Sequence, residues 1–337
     1  MRVDLLSTEQ AVDALLPGWL DLAHACAAST PYNHPGWVLS WWRQRRHAGL
    51  SWHCFAGWDA DGKLVGLLPL VRYPDGVVRF AGHDLHDSAE ALTDRDRLLR
   101  LWRAAVVELQ RSGNCPVLDL PTLGDRDAAA LNDLGLGSCL SVYDIDPGAR
   151  LVLPSSWPDY LDGLTASRRK RMRAERRALE NDHGSARFEM IRGGADIAGA
   201  IGEFWELREA SWRQRGRYGE LADHVRGAPV RAFVMELAAT ADCDADLLAV
   251  GRLTACDELA GTALLLFSGD RVWYAMCAFA PALAKYGPGR LLLSECVRAS
   301  IETGLTVVEL GRGVEEYKFA LGATRYELPS VRAAITP

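Results

Sequence analysis

The chain repeats itself. The stretch GWDADGKLVGLLPLVRYPDGVVRF near residues 57 to 80 has a counterpart in GRLTACDELAGTALLLFSGDRVWY near residues 251 to 274. Each holds three apolar runs separated by two turn signals, Asp59 to Gly62 and Pro74 to Gly76 in the first, Ala255 to Glu258 and Ser268 to Asp270 in the second. That pattern predicts three antiparallel strands in each half. Both halves then continue alike. Asp94 to Ser112 places Leu98, Leu99, Leu101, Trp102, Val106 and Leu109 at helical spacing, is closed by Gly113 and leads to an apolar run from Pro116 to Leu120. Arg290 to Thr303 places Leu293, Cys296, Val297 and Ile301 on one face, is closed by Gly304 and leads to Thr306 to Leu310. So long a period means duplicated domains rather than a solenoid. The expectation is an α/β (α+β) chain of two tandem domains, each an antiparallel meander followed by a strand-helix-strand crossover. The prolines and serines of DPGARLVLPSSWPDY put the join near residue 150, giving domains 1–150 and 151–337.

With 337 residues and 49% apolar content, two cores are affordable. Asp4 and Glu9 interrupt the N-terminus where a secretion signal needs an apolar run, and no stretch approaches the ~20 apolar residues of a membrane span. These features predict a cytoplasmic protein. The eight cysteines include no C-x-x-C pair, which fits reduced core thiols and implies no metal site. The cluster GHDLHD (His83, Asp84, His86, Asp87) lacks ordered ligand spacing and reads as a polar loop. A net charge of -6 excludes indiscriminate nucleic-acid binding. One helical segment runs against that balance: Arg168, Arg169, Lys170, Arg171, Arg173, Arg176 and Arg177 are either a solvated helix face or a site for a polyanion such as a nucleotide sugar, a lipid headgroup or tRNA.

The halves differ between the third meander strand and the helix. The first has the acidic, glycine-free HDLHDSAEALTDRDR; the second has KYGPGR. Gly287 and Gly289, flanking Pro288, let backbone N–H groups approach a ligand, and the following helix turns its positive end there, an arrangement suited to phosphate. A plain strand-to-helix turn is the alternative reading of the same residues. An anionic ligand is accommodated by the second loop and repelled by the first, which suggests one working site and one degenerate copy.

A meander, a glycine loop opening a helix, and a strand splayed from its neighbour together resemble the acyltransferase fold of the GNAT superfamily, in which a Q/R-x-x-G-x-G/A loop holds the pyrophosphate of coenzyme A. Gly287 and Gly289 match the glycines; the Q/R position is Ala284, so Lys285 or Arg290 must supply the charge. Across nearly the whole chain the sequence resembles the CelD-like (cellulose-biosynthesis-protein-like) acetyltransferases, tandem GNAT domains related to the FemAB and FemX aminoacyltransferases. The segments that carry the likeness are TPYNHPGWVLSWW, GKLVGLLPL, SRRKRMRAERRALE, REASWRQRGRYGEL, KYGPGRLLLSECVRASIETG and VELGRGVEEYKFALG. The closing motif places Arg312, Gly313, Glu315, Tyr317 and Lys318, and Tyr317, Lys318, Phe319 and Gly322 also satisfy the FemAB ending.

The resemblance implies transfer of an acyl group from acetyl-CoA or another acyl-CoA to an amine of a small molecule, with no metal. Such chemistry needs a cradled donor, a neutral amine, a stabilised oxyanion and a proton for the departing thiolate. Phe279, Lys285, Tyr286, Gly287, Gly289 and Arg290 are the donor-binding candidates. Glu309 and Glu315 are candidate bases and Tyr317 a candidate acid. Trp212, Arg213, Arg215, Arg312 and Lys318 are candidates for binding the acceptor or an anionic group. Each has an ordinary reading as well: a helix-start acidic pair at Glu315 and Glu316, a core tyrosine at Tyr317, helix-end charges at Arg213 and Arg215. In this scheme the first domain shapes the acceptor cleft and the second holds the donor. Two alternatives stay open, a FemX-like aminoacyl-tRNA-dependent transferase and a catalytically silent module, the latter favoured by Ala284.

Overall fold

Turn chemistry sets the meander strands side by side in each half. The computed structural model describes residues 1–111, 117–193, 196–214, 216, 228–240 and 247–335. Asp59 Oδ1 accepts from the Asp61 and Lys63 N–H groups, and Gly62 takes φ +79°. Asp75 Oδ1 accepts from the Val77 N–H beside Gly76 at φ +87°. In the second half the first turn puts Cys256 and Asp257 in the left-handed region, at φ +46° and +69°, and the second uses Gly269. Left-handed backbone at both central residues matches the twist of a tight hairpin.

The chain divides into two compact units, Met1–Pro147 with Glu327–Pro337, and Gly148–Tyr326. In the first, strands Arg2–Leu6, Ser51–Trp58, Leu64–Arg72 and Val77–Phe80 form an antiparallel meander. Helix Arg95–Arg111 then crosses over to Val117–Leu120, which runs parallel to Val77–Phe80. The expected closing Gly113 and the start of the run at Pro116 lie outside the described residues. Leu98, Leu101, Trp102, Ala105, Val106 and Leu109 form the buried stripe of this helix, at the spacing one helical face requires. The sheet is completed by Val331–Ala334, antiparallel to Val117–Leu120. That pairing brings the last residues of the chain into the first unit instead of ending them with the second.

The second unit repeats the plan. Strands Ala186–Arg192, Leu248–Ala255, Glu258–Ser268 and Arg271–Phe279 are antiparallel neighbours in that order. Helix Pro288–Glu302 crosses to Val307–Arg312, which is parallel to Arg271–Phe279 and antiparallel to Gly148–Val152. Leu291, Leu292, Leu293, Cys296, Val297 and Ile301 bury this helix against the sheet. Gly148 to Val152 thus belongs to this unit because it forms one side of its sheet. Helix Asp196–Gln214 packs on the strands, and helix Ala166–His183, capped by the Thr165 hydroxyl, precedes the meander. Both units therefore hold the expected meander and crossover in one mixed α/β plan. Among the described residues no helix is long and apolar enough to cross a membrane.

Candidate active site

The parallel ladder of the second unit is short. Arg271, Val272 and Trp273 pair with Val307, Val308 and Glu309, and beyond that point the strands part. The other edge of Arg271–Phe279 stays paired with Glu258–Ser268, but Leu264 pairs with Met276 and Leu265 with Tyr274, so Ala275 is an extra residue. A bulge of this kind re-aims the local N–H and C=O groups. Among the described residues, no strand pairs with Tyr274 to Phe279 on this side, and the two strands open into a cleft whose closed end is the Trp273–Glu309 rung.

Glu309 lies at that closed end and is 2% exposed. Arg150 Nε donates to Oε2 at 3.3 Å, while Oε1, which accepts no hydrogen bond among the described residues, is ion-paired with Arg150 Nη2 at 2.9 Å and with Arg271 at 3.7 Å. Tyr317 comes from the short helix Glu316–Ala320. Burial, then the neighbouring Cys277 and Glu315, pushes its phenol well above its ordinary range, and Tyr274, Cys277 and Cys296 form the same half-dry surround. Glu315 caps that helix and remains half exposed. Partial burial works against its charge, yet the hydrogen bond from Lys318 at 2.9 Å holds its carboxyl below the usual range. Lys318 is buried, and its Nζ also donates to the Arg312 carbonyl at 2.6 Å. A buried ammonium needs such partners. Lys318 spends its donors on the Arg312–Glu315 loop, while Arg312 stands exposed at the end of its strand.

At the open end, Gly287 takes φ +66° and serves as the N-cap of helix Pro288–Glu302. A Cβ there would meet only the movable ends of Arg290 and Glu175, so it is the backbone bend that calls for glycine. Gly289 has ordinary backbone, and a Cβ added to it would lie 3.4 Å from the Phe279 ring. Its N–H donates to no acceptor among the described residues. Lys285 is exposed, 3.6 Å from Asp182, with its ammonium 4.6 Å from the Tyr286 ring centre. Tyr286 is buried and donates its hydroxyl proton to Asp182 at 2.5 Å. That bond, with Lys285 nearby, keeps the Asp182 carboxyl below its ordinary range. Arg290 donates to Glu175 of the basic helix. Of the donor-binding candidates, then, Gly287, Gly289 and Phe279 gather at the loop, where the Gly287 N–H donates to the Ala284 carbonyl at 3.1 Å, whereas Tyr286 and Arg290 tie the loop to the basic helix.

On the helix Asp196–Gln214, Trp212 is buried and Arg213 pairs with Glu209 at 2.9 Å. Arg215 lies outside the described residues. Sequence reasoning missed Arg208, whose guanidinium lies 4.3 Å over Trp212 and 5.7 Å from the rings of both Phe204 and Trp205, and whose Nη1 donates to the Cys277 carbonyl at 3.4 Å. The signal was present: Phe204, Arg208 and Trp212 are spaced four apart, hence on one helix face. Glu175 was missed too, since nothing in the order of residues shows which cation a helical glutamate meets. In the first unit Asp84 of the equivalent loop accepts from Trp41 Nε1 at 2.6 Å and from Arg45, both of the helix Pro35–Arg45.

Residues 166–319, a little under half of the chain, match the acetyltransferase (GNAT) domain family. No curated protein matches the sequence. Among solved structures, the chain is similar to FemX, with a TM-score of 0.64 at 10% identity over 98% of this chain and 96% of that one. It is also similar to a protein of unknown function from Bacteroides thetaiotaomicron (TM-score 0.57, 10% identity, 99% and 100% covered) and to L-PGS from Bacillus licheniformis (TM-score 0.56, 11% identity, 88% and 91% covered). At these identities the likeness is one of fold. Residues 166–319 lie wholly within the second unit and include the bulged strand, the glycine loop and Tyr317.

Proposed function

We propose that the second unit is an acyl-CoA-dependent N-acyltransferase site acting on a small-molecule amine. The observation that carries this reading is the parting of Arg271–Phe279 from Val307–Arg312 beyond Trp273 and Glu309, next to a glycine loop at a helix N-terminus. A strand edge that no described strand covers can pair with the amide-bearing arm of a thioester donor, and the Gly289 N–H at the helix N-terminus can donate to its pyrophosphate. The bulge at Ala275 is the place where a backbone N–H can meet the thioester oxygen as negative charge grows there.

The amine nitrogen attacks the thioester carbon; the carbon–sulfur bond then breaks, and the thiolate must be protonated. Tyr317 keeps its proton at neutral pH, so it serves as the acid that supplies the thiolate. Glu315 is charged and partly solvated, so it accepts the proton lost by the amine, directly or through water. Glu309, its oxygens engaged by Arg150 and Arg271, holds the closed end of the cleft. Arg208, stacked on Trp212, borders the cleft from the helix side, where a polar acceptor would enter. The kinship within the superfamily that best fits the motifs is CelD-like.

Gly289→Val tests the donor assignment. The added side chain meets Phe279 in ordinary contact, so the fold should survive while the approach of a pyrophosphate is blocked. Calorimetry should show coenzyme A binding lost with cooperative unfolding retained; unchanged affinity contradicts the proposal.

A second reading is transfer from aminoacyl-tRNA, favoured by the exposed Lys170, Arg173 and Arg177 on the basic helix. Under it, neutralising these three should weaken tRNA binding and flatten its salt dependence by about one unit of slope for each lost phosphate contact. Under the coenzyme A reading their loss should leave turnover intact.

A further inference from the structure

Arg290, beside the glycine loop, already holds an anion in this structure. Glu175 Oε1 accepts from Arg290 through both Nε, at 3.0 Å, and Nη2, and from Arg171 Nε at 2.9 Å. Three charge-assisted donors from two guanidinium groups converge on a single carboxylate oxygen, the number and sign a phosphate oxygen would command. Glu175 is 14% exposed, and its carboxyl carbon lies 3.1 Å from where a Cβ on Gly287 would stand. The pair therefore rests directly on the bent backbone of the loop.

Around this pair is a cavity of about 330 Å³ between the basic helix, the start of helix Pro288–Glu302 and the short helix Glu316–Ala320. Its polar wall includes Arg168, Arg171 and Arg290 and, besides Glu175, one further acid, Glu316; Met172, Leu291 and Phe319 give it an apolar side. Of the neighbouring acids of the basic helix, Glu180 binds Arg176, and Asp182 binds Tyr286 and Lys285 of the same loop. Glu175 alone among these three meets Arg290.

We propose that Glu175 is an internal stand-in for the donor's phosphate, a latch that occupies Arg171 and Arg290 until a pyrophosphate-bearing ligand displaces it. The inference rests on the donor site proposed above. Its consequence is a threshold. Weak or singly charged anions leave the carboxylate in place, whereas a pyrophosphate takes over both arginines and drives Glu175 towards solvent. The latch thus biases the loop towards ligands carrying linked phosphates and keeps the arginines paired when no donor is present.

The test compares wild type with Glu175→Gln by calorimetry, using coenzyme A and, separately, inorganic pyrophosphate and inorganic phosphate as probes. Gln keeps the size of the side chain and removes the competing charge. Affinity for coenzyme A and pyrophosphate should rise about tenfold or more, the scale of a charge-assisted hydrogen bond. The preference for pyrophosphate over phosphate should narrow. Glu175→Ser, which clears the position, should act in the same direction, and Glu180→Gln on the same helix should change neither affinity. A donor affinity that is unchanged or weaker in both Glu175 variants, with coenzyme A still binding the wild type, overturns the latch and leaves the donor site standing. If no form binds coenzyme A, the donor reading fails, and the pyrophosphate titrations then decide the latch alone: no gain there overturns it.

Discussion

Trp273 and Glu309 form the last rung of the parallel ladder in the second unit, and everything proposed for the site follows from the strands parting after it. Strands that stayed paired would cover the edge from Tyr274 to Phe279 and leave no backbone for a donor.

Tyr317 should act as an acid. Tyr317→Phe should lower turnover by roughly 10²-fold or more, the usual scale for a lost proton donor, with the Michaelis constant for the donor little changed. Because burial raises the phenol above its ordinary range, the wild-type profile should show no fall in activity near pH 10 from this group. Steady-state kinetics across pH checks both points, and an equal loss in donor affinity would make Tyr317 a packing residue.

Glu309 should matter for stability. Its carboxylate is buried, but Arg150 and Arg271 are 41% and 21% exposed, so solvent screening discounts the cost of breaking the cluster to about 2 kcal/mol. Glu309→Gln should lower the unfolding free energy by that amount in urea titration, while turnover per folded molecule stays within a few-fold. A large fall in turnover with unchanged stability would assign Glu309 to the chemistry instead.

Glu315 and Lys318 should separate cleanly. Glu315→Gln should reduce turnover by roughly 10²-fold at neutral pH and recover towards alkaline pH, where more of the amine is already neutral. Lys318→Met removes the donors that hold the Arg312 carbonyl and Glu315, so it should lower both stability and turnover. Thermal melts alongside kinetics distinguish the two; a Lys318→Met variant of unchanged melting temperature that is impaired only in substrate affinity would instead place Lys318 against a ligand.

The first unit should carry a pH signature of its own. Asp127 is fully buried and accepts from the Trp102 indole at 2.6 Å and the Ala91 N–H at 3.1 Å. Burial outweighs these bonds and pushes its carboxyl up to about 6. The folded state therefore holds this proton more tightly than the unfolded chain, for which the carboxyl titrates near ~3.9. Its stabilising contribution is fully present below about pH 4 and is lost as pH rises through 6. Denaturant unfolding from pH 4 to 7 should show wild type losing stability relative to Asp127→Asn, by up to a few kcal/mol; a constant difference contradicts this.

The repeat, the crossover helices and the glycine loop were legible in the sequence because turn residues and apolar spacing are local signals. The positions of the amphipathic helix Arg95–Arg111 and of Gly287 followed from them directly. The bulge at Ala275 was not legible: Tyr274, Ala275 and Met276 carry no glycine or other mark of an extra residue. Nor was the return of Val331–Ala334 to the first unit, because an apolar strand does not name its partner. The tertiary partners of the candidate charges were not legible either. Lys318 turns inward to Arg312, Arg290 meets Glu175 from a helix far back in the chain, and the two arginines at Glu309 come from other strands.

Hydrogen exchange on adding acetyl-CoA reads the donor edge itself. Exchange should slow in peptides covering Tyr274–Phe279 and Gly287–Leu291, with no change at Val77–Phe80, the equivalent strand of the first unit. Exchange unchanged at Tyr274–Phe279, or protection confined to the first unit, would contradict the proposed donor site.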